Sequence, residues 1–207
     1  FLGHGDINHI ILLPGSVNEC FEFGWKALDL AEHYQTPIFV LSDLDLGMNQ
    51  WITPKFAYPD RPIDRGKILW EEDLERFGGQ WGRYKDIDGD GIPYRTVMGN
   101  QNPAAAYFTR GTGHNEYGNY SEDPINWANM IRRIKKKLMN MCEMLPEPIL
   151  RTKPGAKIGI IGWGSTDPAL IEAQDMLEEA GVPVDYLRIR ALPSCKAVRD
   201  FIAAHDH

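Results

Sequence analysis

Two short runs of almost unbroken apolar residues, His9-Ile10-Ile11-Leu12-Leu13 and Pro37-Ile38-Phe39-Val40-Leu41, constrain the fold more than any other feature. A strand with one wet face alternates polar and apolar side chains. A strand covered on both faces does not, so these runs predict buried strands. A helical pattern lies between them. Ser16-Val17-Asn18-Glu19 has the spacing of a capping box, and Val17, Cys20, Phe21, Gly24, Leu28 and Ala31 recur at helical intervals. The helix should stop before Pro37, because proline steers the preceding residue out of the helical region. Two buried strands joined by a helix make a βαβ unit, which is parallel and right-handed.

The same rhythm returns near the C-terminus. Ala156–Gly162 reads as a strand ending in glycine, and the loop Gly162-Trp163-Gly164-Ser165-Thr166 leads to a helix with Asp167 as its expected cap. Val184–Ile189 reads as the next strand, and Pro193-Ser194 opens a last helix with Val198, Phe201 and Ile202 facing inward. The middle is different in texture. Residues 47 to 122 are polar, aromatic and rich in Gly and Pro, with one short helical fragment around Glu71 to Phe77. A loop-rich stretch of that length usually serves function or subunit contact. A long helix over 124–145 follows, capped by Asp123 with Pro124 in its first position. Its apolar stripe is Ile131, Ile134, Leu138, Met141 and Leu145. Arg132, Arg133, Lys135, Lys136 and Lys137 lie mostly off the stripe, as a solvated face or a patch for an acidic partner. The expected organisation is therefore three sections, 1–46, 47–149 and 150–207.

Composition excludes several classes. With 22 Lys plus Arg against 29 Asp plus Glu among 207 residues, the formal net charge is −7. That balance lacks the cationic footprint that nucleic acid demands. No apolar run approaches the ~18 residues of a membrane helix, and no signal peptide is legible. Three scattered cysteines, Cys20, Cys142 and Cys195, form no CxxC pair and no disulfide framework, which suits reduced thiols in the cytoplasm. The chain opens on Phe1-Leu2-Gly3 rather than Met and reads as a piece of something longer.

Four short motifs could carry chemistry. Gly3-His4-Gly5-Asp6 pairs a histidine with a carboxylate where glycines allow close approach, as an acid–base or ligand anchor or as a simple Asp-capped turn. Gly162-Trp163-Gly164-Ser165 resembles a truncated phosphate loop, or a packing turn, and admits a flavodoxin-like nucleotide site at Gly162 to Thr166. Asp86-Ile87-Asp88-Gly89-Asp90-Gly91 matches the opening of a calcium loop, with Asp86, Asp88 and Asp90 as candidate ligands for Ca²⁺ or Mg²⁺. The twelfth position is Val97 rather than Glu, so a solvent-facing acidic turn stands beside a calcium-binding α/β module as the alternative. Gly111–Gly118, with His114 and Glu116, is a glycine-framed cluster suited to turn chemistry or inter-subunit contact.

Taken in order, Gly3-His4-Gly5-Asp6, Ile11–Ser16, Phe39–Asp43, Ile63–Lys67, Asp90–Arg95 and Gly113–Gly118 resemble the α subunit of 2-oxoacid:ferredoxin oxidoreductases, most closely the 2-oxoglutarate type. The resemblance implies an α/β fold in which 1–46 ends a thiamine-diphosphate pyrimidine-binding domain, 47–149 is a connection, and 150–207 begins a transketolase C-terminal-like domain. It implies oxidative decarboxylation of a 2-oxoacid to acyl-coenzyme A, with electrons passed to ferredoxin. It implies a β subunit that carries the thiamine diphosphate, its Mg²⁺ and a [4Fe–4S] cluster, with coenzyme A as cosubstrate. The family's catalytic residues lie upstream of the matching positions, leaving His4, Gly5 and Asp6 as the nearest cofactor-cleft candidates. The pyruvate and branched-chain relatives are the alternatives within the family.

Overall fold

Residues 9–78, 80–107, 111–142 and 144–207 are described by a computed structural model of the chain. Strand β1 (Ile10–Leu12) and helix α1 (Val17–Tyr34) form where the apolar run and the capping box predict them. Glu19 N donates to Ser16 Oγ at 3.2 Å, which is half of the expected box. The other half is diverted, because the Glu19 carboxylate accepts from Gly15 N instead, at 2.7 Å. β2 (Ile38–Val40) lies parallel to β1 with Ile10 opposite Ile38 and Leu12 opposite Val40.

Two expectations for this segment need correction. The buried stripe of α1 is Glu19, Phe23, Leu30 and Tyr34, not the Val17–Ala31 set, and Leu28 is exposed. Helical spacing alone allowed two apolar stripes here. Phe21, on the second, stacks on Phe56 with ring centroids 4.7 Å apart. β2 is also not buried: Phe39, Val40 and Leu41 are all more than a third exposed, because β2 is the edge of its sheet.

The described residues divide into two units. One comprises His9–Ala31, Thr36–Ile63 and Cys142–His207, so it joins material from all three expected sections. It holds two three-stranded sheets. The first has the order β2-β1-β6, with β6 (Ala191–Leu192) antiparallel to β1. The second has the order β3-β5-β4, in which β4 (Ile158–Gly162) runs parallel and β3 (Ile149–Arg151) antiparallel to β5 (Val184–Arg188). Helix α2 (Leu44–Met48) is capped by Asp43, whose Oδ1 accepts from Leu46 N at 3.0 Å. Helix α5 (Asp167–Glu179) follows a short 3-10 turn (Gly164–Thr166), which makes Asp167 its first residue rather than its cap. Its fully buried Gln174 donates to the carbonyls of Arg151 and Val184 and ties β3 to β5. Helix α6 (Lys196–Ala204) packs Val198 and Phe201 on Leu187, whereas Ile202 is exposed.

The other unit comprises Glu32–Gln35 and Asp64–Met141. Helix α3 (Glu71–Arg76) and helix α4 (Pro124–Met141) are its regular elements, with a small core of Leu69, Leu74 and Trp81. Asp123 Oδ1 accepts from Ile125 N at 2.8 Å, the expected cap of α4. The basic run of α4 divides. Lys137 is buried and donates from Nζ to the carbonyls of Tyr34 and Gln35, at 2.9 and 3.4 Å, so it closes the end of α1. Arg133 donates to the Gly91 carbonyl, while Arg132, Lys135 and Lys136 remain exposed. Among the described residues, no helix is long and apolar enough to cross a membrane.

Candidate functional site

The strand-to-helix turns of the sheet-bearing unit present backbone amides of the kind that cradle phosphates. At two of them, β1–α1 and β4–α5, this chain fills the turn with its own carboxylates. At the β1–α1 turn, Glu19 Oε2 accepts from Gly15 N, and its Oε1 takes Arg188 Nη2 at 2.8 Å and Arg190 Nε at 2.9 Å. A Cβ on Gly15 would lie 1.7 Å from Arg188 Nη1, so glycine is required for the arginine to fit. Arg188 also lies 3.6 Å from Asp167 Oδ2, and Asp167 Oδ1 accepts from the Tyr186 hydroxyl at 2.9 Å. Burial and that hydrogen bond push the Tyr186 hydroxyl far above the ordinary phenol range.

At the β4–α5 turn, Ser165 N donates to Asp43 Oδ2 at 2.7 Å, and Gly164 adopts φ +65° with Asp43 Oδ2 where a Cβ would sit. Burial raises the Asp43 carboxyl, but amide hydrogen bonds from Leu46 and Ser165 outweigh it and hold the group below its usual value. The alternative of a nucleotide site at Gly162 to Thr166 is disfavoured relative to the packing turn: a fixed carboxylate, Asp43, already holds the Ser165 amide and would repel a phosphate. Beside it, a cavity of about 240 Å³ is lined by Ser16, Asn18, Leu46, Trp51, Thr53 and Ser165, among others.

In the other unit the acidic loop closes on a lysine. Lys67 Nζ donates to Asp88 Oδ2 at 2.6 Å, to Asp90 Oδ1 at 2.9 Å and to the Ile92 carbonyl at 3.2 Å. Asp86 Oδ1 accepts from Gly91 N at 3.0 Å. Burial lowers the Lys67 ammonium, but the hydrogen bonds it donates to Asp88 and Asp90 outweigh that and raise it, so the charge is held firmly. The alternative reading of Asp86, Asp88 and Asp90 as a Ca²⁺ or Mg²⁺ loop finds no support here, because Lys67 already bonds Asp88 and Asp90 and Gly91 N already bonds Asp86. Among the described residues, no group of three or more His, Cys, Asp or Glu side chains is arranged to hold a metal. The motif's glycine serves packing instead. At Gly91, φ is +84° and a Cβ would come within 2.5 Å of the Lys137 amide.

The His114 cluster is built on turn chemistry. Asn115 Oδ1 accepts from the amides of Tyr117 and Asn119, and Ser121 N donates to the Gly113 carbonyl. His114 Nδ1 lies 3.1 Å from the Thr112 carbonyl, and its ring sits 4.0 Å from that of Tyr84. His4, Gly5 and Asp6 lie outside the described residues. Sequence reasoning missed Lys67, Asp43 and the Glu19–Arg188–Arg190 group. Arg188 carried the one available signal, as a charged residue directly after the apolar Tyr186-Leu187 pair of its strand.

No family model matches the chain. It is 30% identical over 197 residues to a 2-oxoacid:ferredoxin oxidoreductase α subunit of Aeropyrum pernix, covering 93% of this chain and 29% of that protein. The corresponding α subunit of Saccharolobus solfataricus is 33% identical over 196 residues, covering 91% and 29%. The 2-oxoglutarate synthase subunit KorA of Methanothermobacter thermautotrophicus is 28% identical over 193 residues, covering 90% and 47%. The chain thus spans under a third of the first two relatives and about half of the third. Among solved structures, a 2-oxoglutarate:ferredoxin oxidoreductase from Magnetococcus marinus, with 2-oxoglutarate, coenzyme A and succinyl-CoA bound, superposes with a TM-score of 0.81. It is 29% identical and covers 99% of this chain and 35% of that one. By sequence and by fold, this chain is homologous to a segment of the α subunit of 2-oxoacid:ferredoxin oxidoreductases.

Proposed function

We propose that the chain is part of the α subunit of a 2-oxoglutarate-type 2-oxoacid:ferredoxin oxidoreductase. The protein would decarboxylate a 2-oxoacid oxidatively on thiamine diphosphate, form the acyl-coenzyme A and pass electrons to ferredoxin. The observation that carries this is the match along 99% of the chain to an enzyme solved with 2-oxoglutarate, coenzyme A and succinyl-CoA. Residues 1–46 are read as the end of the pyrimidine-binding domain and 150–207 as the start of the transketolase C-terminal-like domain. His4, Gly5 and Asp6 are assigned to the cofactor cleft.

Thiamine diphosphate supplies the carbanion chemistry, and the protein orients it and sets its electrostatics. The two amide-bearing turns described above do not fit its diphosphate, since Asp43 and Glu19 already neutralise them. That supports assigning the diphosphate, its Mg²⁺ and the [4Fe–4S] cluster to a β subunit. The test is co-expression of the full-length α subunit with its β subunit, followed by ferredoxin reduction with coenzyme A and a 2-oxoacid. Reduction with 2-oxoglutarate in preference to pyruvate or 2-oxoisovalerate is expected. Preference for either of those moves the protein to the pyruvate or branched-chain type. Turnover by the α subunit alone, or by neither, sinks the proposal.

A further inference from the structure

Helix α4 carries a cationic face for which the oxidoreductase reading has no use. Ile125, Asn129, Arg132, Lys136 and Met139 alternate at spacings of four and three residues, so they form one stripe along the helix. The stripe is exposed from end to end, with Ile125 at 67% and Met139 at 65%. Arg132, Lys135 and Lys136 stand on or beside it, where like charges one turn apart repel. None of the three forms an ion pair among the described residues, whereas Lys67, Arg95, Arg151 and Lys153 all do. In a chain of net charge −7 that is a local reversal of sign.

The complement lies in the same unit, on α3. That helix opens on Glu71, Glu72 and Asp73 and adds Glu75. Asp73 is committed to Trp70 N at 3.0 Å and Glu71 to Gln101 N at 2.9 Å. Glu72 and Glu75 are exposed on one face, and neither forms an ion pair among the described residues. Trp70, at the start of α3, is 55% exposed.

We infer that α4 and α3 are the two halves of a contact between copies of this chain, α4 of one copy lying on α3 of the other. Both helices belong to one unit, so a two-fold axis makes the contact twice. Arg132 and Lys136 are neighbours on their helix face, as Glu72 and Glu75 are on theirs, so the spacings match. Exposed ion pairs are individually weak. The charges therefore select the partner and its register, while Ile125, Met139 and Trp70, of types enriched or commonly anchoring at contacts, supply apolar area. A second copy is favoured over an unrelated acidic protein because this chain itself presents matching carboxylates unpaired. The surplus of carboxylates disfavours nucleic acid as the occupant.

The test is sedimentation of the full-length α subunit in complex with its β subunit. Two copies of the complex should associate at low ionic strength and separate in about 1 M salt, where the Debye length is about 3 Å. Arg132→Glu with Lys136→Glu should weaken association at least about tenfold, and so should Glu72→Lys with Glu75→Lys, since each sets like charges face to face. Mixing the two variants should restore association, because only the mixed pair has opposite charges at both contacts. Recovery also shows that both variants are folded. A complex that never self-associates, or one that neither variant weakens, overturns the inference. Sensitivity to Arg132 and Lys136 without sensitivity to Glu72 and Glu75 assigns the face to another acidic partner and likewise overturns it. So does failure to recover on mixing when both variants melt at the native temperature. Where a reversed variant melts lower, Arg132→Gln with Lys136→Gln replaces it, and an unchanged association constant rejects the contact. Because mass is read without turnover, each of these outcomes is distinct from failure of the oxidoreductase reading.

Discussion

Glu19 shows how one side chain can abandon the role its spacing suggests. Its position three residues after Ser16 is that of a capping glutamate, yet its carboxylate serves Gly15, Arg188 and Arg190. The Arg188 side chain is only 5% exposed, so removing the counter-charge would strand a guanidinium away from water. Glu19→Gln should therefore destabilise the protein by about 2–4 kcal/mol in denaturant unfolding, and a change below about 0.5 kcal/mol would show the pair to be ornamental. Lys67 is the comparable case in the acidic loop. Its ammonium neutralises Asp88 and Asp90, as a bound cation would. The native protein should show no Ca²⁺-dependent shift in melting temperature. Lys67→Met should melt lower and recover part of the loss when Ca²⁺ is added. A Ca²⁺ response in the native protein, or none in the variant, contradicts this account.

At the scale of elements, the C-terminal end of α1 is closed by a partner distant in sequence. Lys137, on α4, supplies donors to the last carbonyls of α1. Burial, reinforced by Arg133 and Arg83, pulls its ammonium down to about 8. The unfolded chain, with the ordinary lysine value of 10.5, then binds more protons than the folded one between these limits. Stability should accordingly rise with pH from about 8 to 10 relative to Lys137→Met, read as the difference between the two unfolding curves. A parallel pair of curves rejects the assignment. His205, just after α6, works in the opposite sense. Its Nδ1 bonds the Phe201 carbonyl and its Nε2 lies 3.0 Å from Asp185 Oδ2. The Phe201 bond, then Asp185, hold the imidazolium above the ordinary value of 6.5. The stabilisation is complete below that value and lost as pH rises through the raised folded-state pKa. Asp185→Asn should flatten the decline in melting temperature on the alkaline side of pH 6.5; an unaltered slope excludes the pair as its origin.

For the whole molecule, the cofactor-cleft assignment of His4 makes a demand that only the complete enzyme can meet. His4→Ala in the full-length α subunit with its β subunit should lower kcat/KM several-fold and alter its pH profile. If neither changes, His4 is structural. Much of the architecture was legible in the sequence because it follows from local rules: the apolar runs of β1 and β4, the Asp123-Pro124 start of α4, and the stop of α1 before Pro37 are each decided by neighbouring residues. The order of motifs likewise sufficed to indicate the family. Burial and charge pairing were not legible, because both depend on which surfaces meet. Periodicity allowed either stripe of α1 to turn inward, and nothing in Pro37–Leu41 told that β2 lies at a sheet edge. Asp43 and Ser165 are 122 positions apart, and Glu19 and Arg188 are 169 apart. Such carboxylates read as free ligands in the sequence. Only the tertiary structure reveals that the chain supplies its own cations and amides to satisfy them, since partners so far apart are chosen by topology rather than by spacing.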